Sequence, residues 1–173
     1  MGDARRKSPL DTFRGGFEKA VNFMIGTMLA GMVVVVFGNV IFRYFLNAAI
    51  AWSEEVSRFM LIWLAFMGAV IAYLRNEHLG LDILLNVLPP RGARIVAVLA
   101  DALVVTALVV LTKGGIEMTA DSFASGWVAS AVPIPYGYVY MAAPIATGLM
   151  LLEAVLKLVS DIRGLLAAQK GGA

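Results

Sequence analysis

Cysteine is absent from this 173-residue sequence, and histidine occurs once, at position 78. The chain therefore cannot form disulfides, ligate an iron–sulfur cluster through thiolates or hold a haem between two axial histidines of its own. Charged residues are also scarce, at 15% of the chain against about 25% in soluble domains. Glycine-rich phosphate loops, nucleophile elbows and HExxH zinc motifs are missing. We therefore expect a protein that is not an enzyme, has no cofactor and binds no nucleic acid.

Hydrophobic residues are abundant instead, at 60% of the chain against about 45–50% in soluble domains. About 20 helical residues cross the roughly 30 Å hydrocarbon core of a bilayer. The sequence therefore predicts an all-α membrane protein with four transmembrane helices and no separate soluble domain. Within a membrane domain at 20–160, the predicted spans are about 20–42, 53–74, 92–115 and 137–159.

The two ends of the chain and one connection are predicted to lie outside the hydrocarbon. Residues 1–19 are polar, but Leu10, Phe13 and Phe17 recur at helical spacing, which indicates an amphipathic helix in the membrane interface. Residues 79–88 are apolar but too short to cross the bilayer, so we expect an interfacial stretch there. Residues 161–173 are predicted to form a short tail.

Lysine and arginine are distributed unevenly between alternate connections. The N-terminal segment has five, the second connection three and the C-terminal end three, whereas the opposite side has three in total, namely Arg43, Arg58 and Lys113. Positively charged residues concentrate on the cytoplasmic side of membrane proteins. We therefore predict that both termini are cytoplasmic and that the start of the second span faces outward.

Charged residues meet the apolar second span at this outward junction. Glu54 and Glu55 lie four and three residues before Arg58, so the arginine can reach either carboxylate on a helix. Arg43 is predicted on the same side of the membrane, and Trp52 precedes the pair. The junction could anchor the depth of the second helix, dock against another subunit or couple a cation directly.

Asp101 is predicted to lie inside the bilayer, about 15 Å from the cytoplasmic start of the third helix. Intramembrane carboxylates are candidates for proton or cation transport, yet this helix offers no second ionisable group beside Asp101. A structural or intersubunit carboxylate is therefore the competing interpretation. Glu153 is predicted to pair with Lys157, four residues later.

His78 and Asp82 also have helical spacing, with Glu77 beside them. One histidine and two carboxylates are a poor ligand set for a transition metal. We therefore predict no metal site, and expect a capping or interface role for these residues.

The order and spacing of several short motifs resemble one family of membrane proteins. The resemblance covers about residues 20–155 and rests on Arg43-Tyr44, Trp52-Ser53-Glu54-Glu55 with Arg58, Trp63, Gly68-Ala69, Arg75 to His78, Leu79 and Leu81-Asp82, Leu88-Pro89 and Ile134-Pro135. The sequence is similar to the small membrane subunit of tripartite ATP-independent periplasmic (TRAP) transporters, the DctQ-like family.

The resemblance implies a multi-pass protein of the bacterial inner membrane that works beside a large DctM-like membrane subunit and a periplasmic DctP-like substrate-binding protein. In that family the large subunit carries the substrate and sodium sites, and the small subunit packs on its scaffold to support uptake of organic acids. The residues predicted above at the junction, with Trp63, Gly68, His78, Asp82 and Asp101, are then candidates for structural or partner contacts.

Two other functions compete with this interpretation. A small four-helix cation-coupled exporter would carry a membrane carboxylate early in its first helix, and residues 20–42 contain none. A membrane anchor of an electron-transfer complex is weakened by the single histidine and the missing cysteines.

Overall fold

A computed structural model describes residues 9–48, 50–75 and 89–170. It contains five helices in these ranges: α1 Pro9–Phe45, α2 Ala51–Leu74, α3 Pro90–Ala124, α4 Tyr136–Tyr140 and α5 Ala142–Lys170. Four stretches are long and apolar enough to cross a membrane: Gly15–Phe45, Ala51–Leu74, Gly92–Ala124 and Tyr136–Gly164. The prediction of four spanning helices is therefore confirmed. His78, Asp82 and the segment 79–88 lie outside the described residues.

No strand forms within the described ranges, where the β-type pairing is a single bridge between Val128 and Pro135. The backbone divides into two compact units, Met1–Ile71 and Ala72–Ala173. The first unit holds α1 and most of α2, and the second holds α3, α4 and α5.

Helix α1 is 37 residues long, which corresponds to about 55 Å at the α-helical rise. It runs from Pro9 without a break, so the predicted interfacial helix and the first span are one continuous helix, and the interfacial position of residues 1–19 stays a prediction. The helix ends in a tight turn in which Asn47 adopts φ 49°, a left-handed conformation that asparagine tolerates well. The chain then reverses direction into α2.

A polar contact and a close packing contact join α1 to α2 within the first unit. The backbone N–H of Ile50 donates to Asn39 Oδ1 at 2.8 Å, which holds the reversing loop against the end of α1. Further along, a Cβ added to Gly31 would lie 3.0 Å from Met60 Cε. The absence of a side chain at Gly31 therefore leaves room for the end of the Met60 side chain against α1.

In the second unit, α3 packs against α5 along small and polar residues. Ala142, Ala146 and Ala154 are buried on α5, and the Thr112 hydroxyl lies 3.0 Å from that of Thr147. Helix α3 continues past Gly114-Gly115 to Ala124, beyond the predicted end of the third span at residue 115. Its 35 residues amount to about 52 Å, well beyond the thickness of the hydrocarbon.

The connection between α3 and α4 folds back on itself. Gly126 ends α3 with φ +65°, and the Tyr136 N–H then donates to the Trp127 carbonyl at 3.0 Å. The expected fourth span begins as α4 and continues as α5 after an interruption at Met141. Pro144 falls in the first turn of α5, where its missing N–H costs no intrahelical hydrogen bond.

Candidate partner-contact site and buried ion pair

The charged junction forms a pocket of about 330 Å³ between the end of α1 and the start of α2. Its lining residues are Val36, Asn39, Val40, Arg43, Ser53, Glu54 and Ser57. The structure therefore brings Arg43 and Glu54 to one pocket, although they are separated by a chain reversal. Both residues belong to the first unit and are exposed.

Hydrogen bonds to the backbone fix the serines of this pocket. Ser53 is 1% exposed, and its hydroxyl donates to the Ile50 carbonyl at 2.7 Å. The Ser57 hydroxyl donates to the Ser53 carbonyl, also at 2.7 Å. The first turn of α2 is thereby locked to the loop that precedes it, which sets the direction in which Glu54 leaves the helix.

Glu54 does not form the ion pair within the junction that the helical spacing permits. Within the described residues, Glu54 forms an ion pair with neither Arg58 nor Arg43. The Arg43 guanidinium instead lies 5.5 Å from the centroid of the Tyr44 ring. A four-residue spacing permits contact between two long side chains but does not impose it at an exposed site, where such pairs contribute little.

The remaining candidates on α2 do not converge with Glu54 on one site. Trp52 is 46% exposed, Arg58 is also exposed, and Glu55 and Trp63 are partly exposed. A Cβ added to Gly68 would have no atom within 4 Å, so this glycine opens a gap on the helix surface. These residues are spread along the span, as contact residues would be.

Asp101 is buried, with 7% exposure, and its Oδ1 lies 3.1 Å from Lys157 Nζ on α5. Asp161 also approaches the Asp101 carboxyl, and Tyr73 lies near both Asp101 and Glu153. The second oxygen, Oδ2, has no hydrogen-bond partner among the described residues. Asp101 is therefore the buried member of a polar cluster that joins α3 to α5.

Lys157 is the site residue that reasoning from the sequence missed as a partner of Asp101. Its spacing from Glu153 suggested a pair within one helix, whereas the observed partner lies 56 positions away in the sequence. The sequence did give one indication of this pairing, because a carboxylate inside a span almost always pairs with another polar or charged group of the protein. The described part of the chain brings together no group of three potential metal ligands.

Comparison with known proteins identifies the family. The family model described as "Tripartite ATP-independent periplasmic transporters, DctQ component" matches residues 32–164. A Haemophilus influenzae protein assigned by its name to the TRAP transporter small permeases is 34% identical over 150 residues, covering 84% of this chain and 89% of that protein.

Two further relatives carry more specific names. The C4-dicarboxylate TRAP transporter small permease protein DctQ of Vibrio cholerae is 35% identical over 51% of this chain and 38% of its own length. The isethionate TRAP transporter permease protein DctMQ of Oleidesulfovibrio alaskensis is 26% identical over 85% of this chain and 24% of its own length. With four helices capable of spanning a membrane, the chain belongs to the DctQ component family of TRAP transporters and is a multi-pass membrane protein.

Proposed function

We propose that this chain is the small, non-catalytic subunit that packs on the scaffold of a large DctM-like membrane subunit. In this role it supports sodium-coupled uptake of organic acids that a periplasmic DctP-like protein delivers. The observation that carries the proposal is the exposure of α1: none of the most apolar window of its span is buried within the chain. A helix so little covered by its own chain is available to a neighbouring membrane protein.

The names of the relatives support the partner and the substrate class. The name DctMQ joins the two membrane components in one protein, and the similar region covers 24% of its length. C4-dicarboxylate and isethionate, which appear in the names of two relatives, are both organic acids. Residues 20–42 contain no carboxylate, so nothing favours a self-contained cation-coupled exporter.

We place the chain in the bacterial inner membrane with both termini in the cytoplasm. The uneven distribution of lysine and arginine supports this orientation. In the same arrangement residues 1–19 lie in the cytoplasmic interface, residues 161–173 are cytoplasmic, and the pocket between α1 and α2 faces the periplasm. The residues proposed for structural or partner contacts are Arg43, Trp52, Glu54, Glu55, Arg58, Trp63, Gly68, His78, Asp82 and Asp101.

Co-purification of the tagged chain from its native membrane tests the assignment. We expect the large membrane subunit to be recovered with it, and we expect sodium-driven uptake by liposomes that contain both subunits with the binding protein. Liposomes that contain the tagged chain alone should show no uptake. Recovery of the chain as a homodimer with transport of its own would contradict the proposal.

The double variant Glu54→Ala with Glu55→Ala is expected to weaken the complex while membrane insertion stays intact. Exposed ion pairs contribute up to about 1 kcal/mol, so recovery of the large subunit should fall by up to about fivefold at limiting concentration. The matched control is Glu117→Ala with Asp121→Ala, which removes two exposed carboxylates from the end of α3. Equal recovery with both double variants would reduce the junction to a depth anchor.

A further inference from the structure

The pocket between α1 and α2 contains opposite charges that leave each other unpaired. Arg43 and Glu54 both line it, and within the described residues they form no ion pair with each other. A ligand that presents the complementary charges would stabilise both groups electrostatically at the edge of a membrane. The pocket therefore suits a ligand that is itself zwitterionic.

Hydrogen-bonding capacity divides the pocket into a donor side and an acceptor side. On the α1 side, Arg43 has only donors, and Asn39 already uses Oδ1 to accept from Ile50 N–H, which leaves its amide hydrogens to offer. On the α2 side, the Ser57 hydroxyl has committed its hydrogen to the Ser53 carbonyl. Ser57 can therefore only accept, as the Glu54 carboxylate does.

The wall of the pocket becomes apolar toward the bilayer. Val36 and Val40 precede Arg43 by about two turns and one turn of α1, respectively, and they are 46% and 42% exposed. Both helices have the length and hydropathy of membrane spans. A ligand in this pocket would meet charged groups at one end and hydrocarbon-facing valines at the other, which is the polarity of a phospholipid.

We propose that this pocket binds the headgroup of a phospholipid with a primary ammonium group, as in phosphatidylethanolamine. Arg43 and Asn39 donate to the phosphate, Glu54 and Ser57 accept from the ammonium, and an acyl chain follows Val36 and Val40. A primary ammonium is preferred over choline because Glu54 and Ser57 accept hydrogen bonds, and choline has no N–H to donate. The volume of about 330 Å³ falls at the lower end of the range for small-ligand pockets, about 300–1,000 Å³.

The site requires only that α1 and α2 lie in a bilayer, so it does not depend on the proposed role in transport. Native mass spectrometry of the full chain in detergent, titrated with phosphatidylethanolamine or phosphatidylcholine of identical acyl chains, tests it. The wild-type chain should bind phosphatidylethanolamine about tenfold more tightly, the effect of one charge-assisted hydrogen bond. Glu54→Gln should remove this preference while affinity for phosphatidylcholine is retained, whereas Arg43→Gln should weaken binding of both lipids about tenfold.

The matched controls are Glu117→Gln and Lys113→Gln. They neutralise exposed charges in the C-terminal third of α3 and should leave the affinities for both lipids unchanged. Circular dichroism of each variant verifies that the helices are retained. Equal affinity of the wild-type chain for the two lipids would overturn the proposal, as would an equal effect of Glu54→Gln and Glu117→Gln. Soluble phosphoethanolamine that binds as tightly as the lipid would show that the ligand is a free solute, which also contradicts it.

Discussion

Lys157→Met is expected to lower the free energy of unfolding by about 2 kcal/mol, because it leaves the buried Asp101 carboxylate without its counter-charge. Removing one partner of a fully buried ion pair costs about 3–5 kcal/mol. The Lys157 side chain is 37% exposed, so the pair is only partly buried and the cost is smaller. Methionine keeps most of the volume of lysine, so the loss reports on charge rather than on a cavity. Reversible unfolding of the full chain in mixed micelles measures it.

A second lysine provides the control for this variant. Lys113 forms an ion pair with Glu117 at 3.8 Å, but the side chains of the two residues are 76% and 63% exposed. Lys113→Met should therefore change the free energy of unfolding by less than about 0.5 kcal/mol. Adding Asp101→Asn to Lys157→Met should recover most of the lost stability, because the amide needs no counter-charge. Equal losses from the two lysine variants would exclude a buried ion pair that stabilises α3 against α5.

The variant Asp101→Asn distinguishes a structural role of Asp101 from a role in transport. In the assembled transporter, Asp101→Asn is expected to retain substantial sodium-driven uptake, since the lysine beside Asp101 already satisfies the charge that a coupling cation would have to neutralise. The measurement is uptake by proteoliposomes with the amount of complex held constant. Complete loss of uptake by an intact complex would assign Asp101 to coupling.

The fold follows from the sequence where one helix can be considered alone. The lengths of the apolar runs predicted four spans, although the third helix continues to Ala124, beyond the predicted end of its span at residue 115. The interruption at Met141 was not predicted, because residues 137–159, which include Pro144, were expected to form one continuous span. A proline is compatible with a first helical turn as well as with a kink, and the sequence does not distinguish the two.

Side-chain contacts were predicted much less well, and the junction and Asp101 show why in opposite ways. Spacing alone permitted the pairing of Glu54 with Arg58, but exposed side chains gain too little from it to hold one geometry. For Asp101 the partner was missed, since spacing within α3 carries no information about which residue of α5 faces it. The position of Arg43 in the Glu54 pocket depends on the loop held by Asn39 and Ile50, which no periodicity encodes.

Gly115→Leu is expected to reduce the free energy of unfolding by about 3 kcal/mol, at the upper end of what overpacking usually costs. A Cβ added at Gly115 would lie 3.1 Å from both the backbone nitrogen and Cδ of Pro144. These atoms belong to the backbone and ring of α5 and cannot rotate away, so a larger side chain has to push α3 from α5. Thermal unfolding of the full chain in detergent measures the loss.

The preceding glycine makes this prediction specific to packing. A Cβ added to Gly114 would meet no atom within 4 Å, so Gly114→Leu makes the same change of residue and of helix propensity without the clash, and it should be neutral or slightly stabilising.

A disulfide cross-link between α3 and α5 reports the distance between the two helices directly. The chain has no cysteine, so Thr112→Cys with Thr147→Cys introduces a single pair, at a place where two hydroxyls lie 3.0 Å apart. Disulfide formation should be efficient in the Gly114→Leu background and strongly reduced in the Gly115→Leu background, because the bond needs the closely spaced Cβ atoms that the separated helices no longer provide. Equal cross-linking in both backgrounds would mean that α5 accommodates the leucine, and that Gly115 does not set the distance between the two helices.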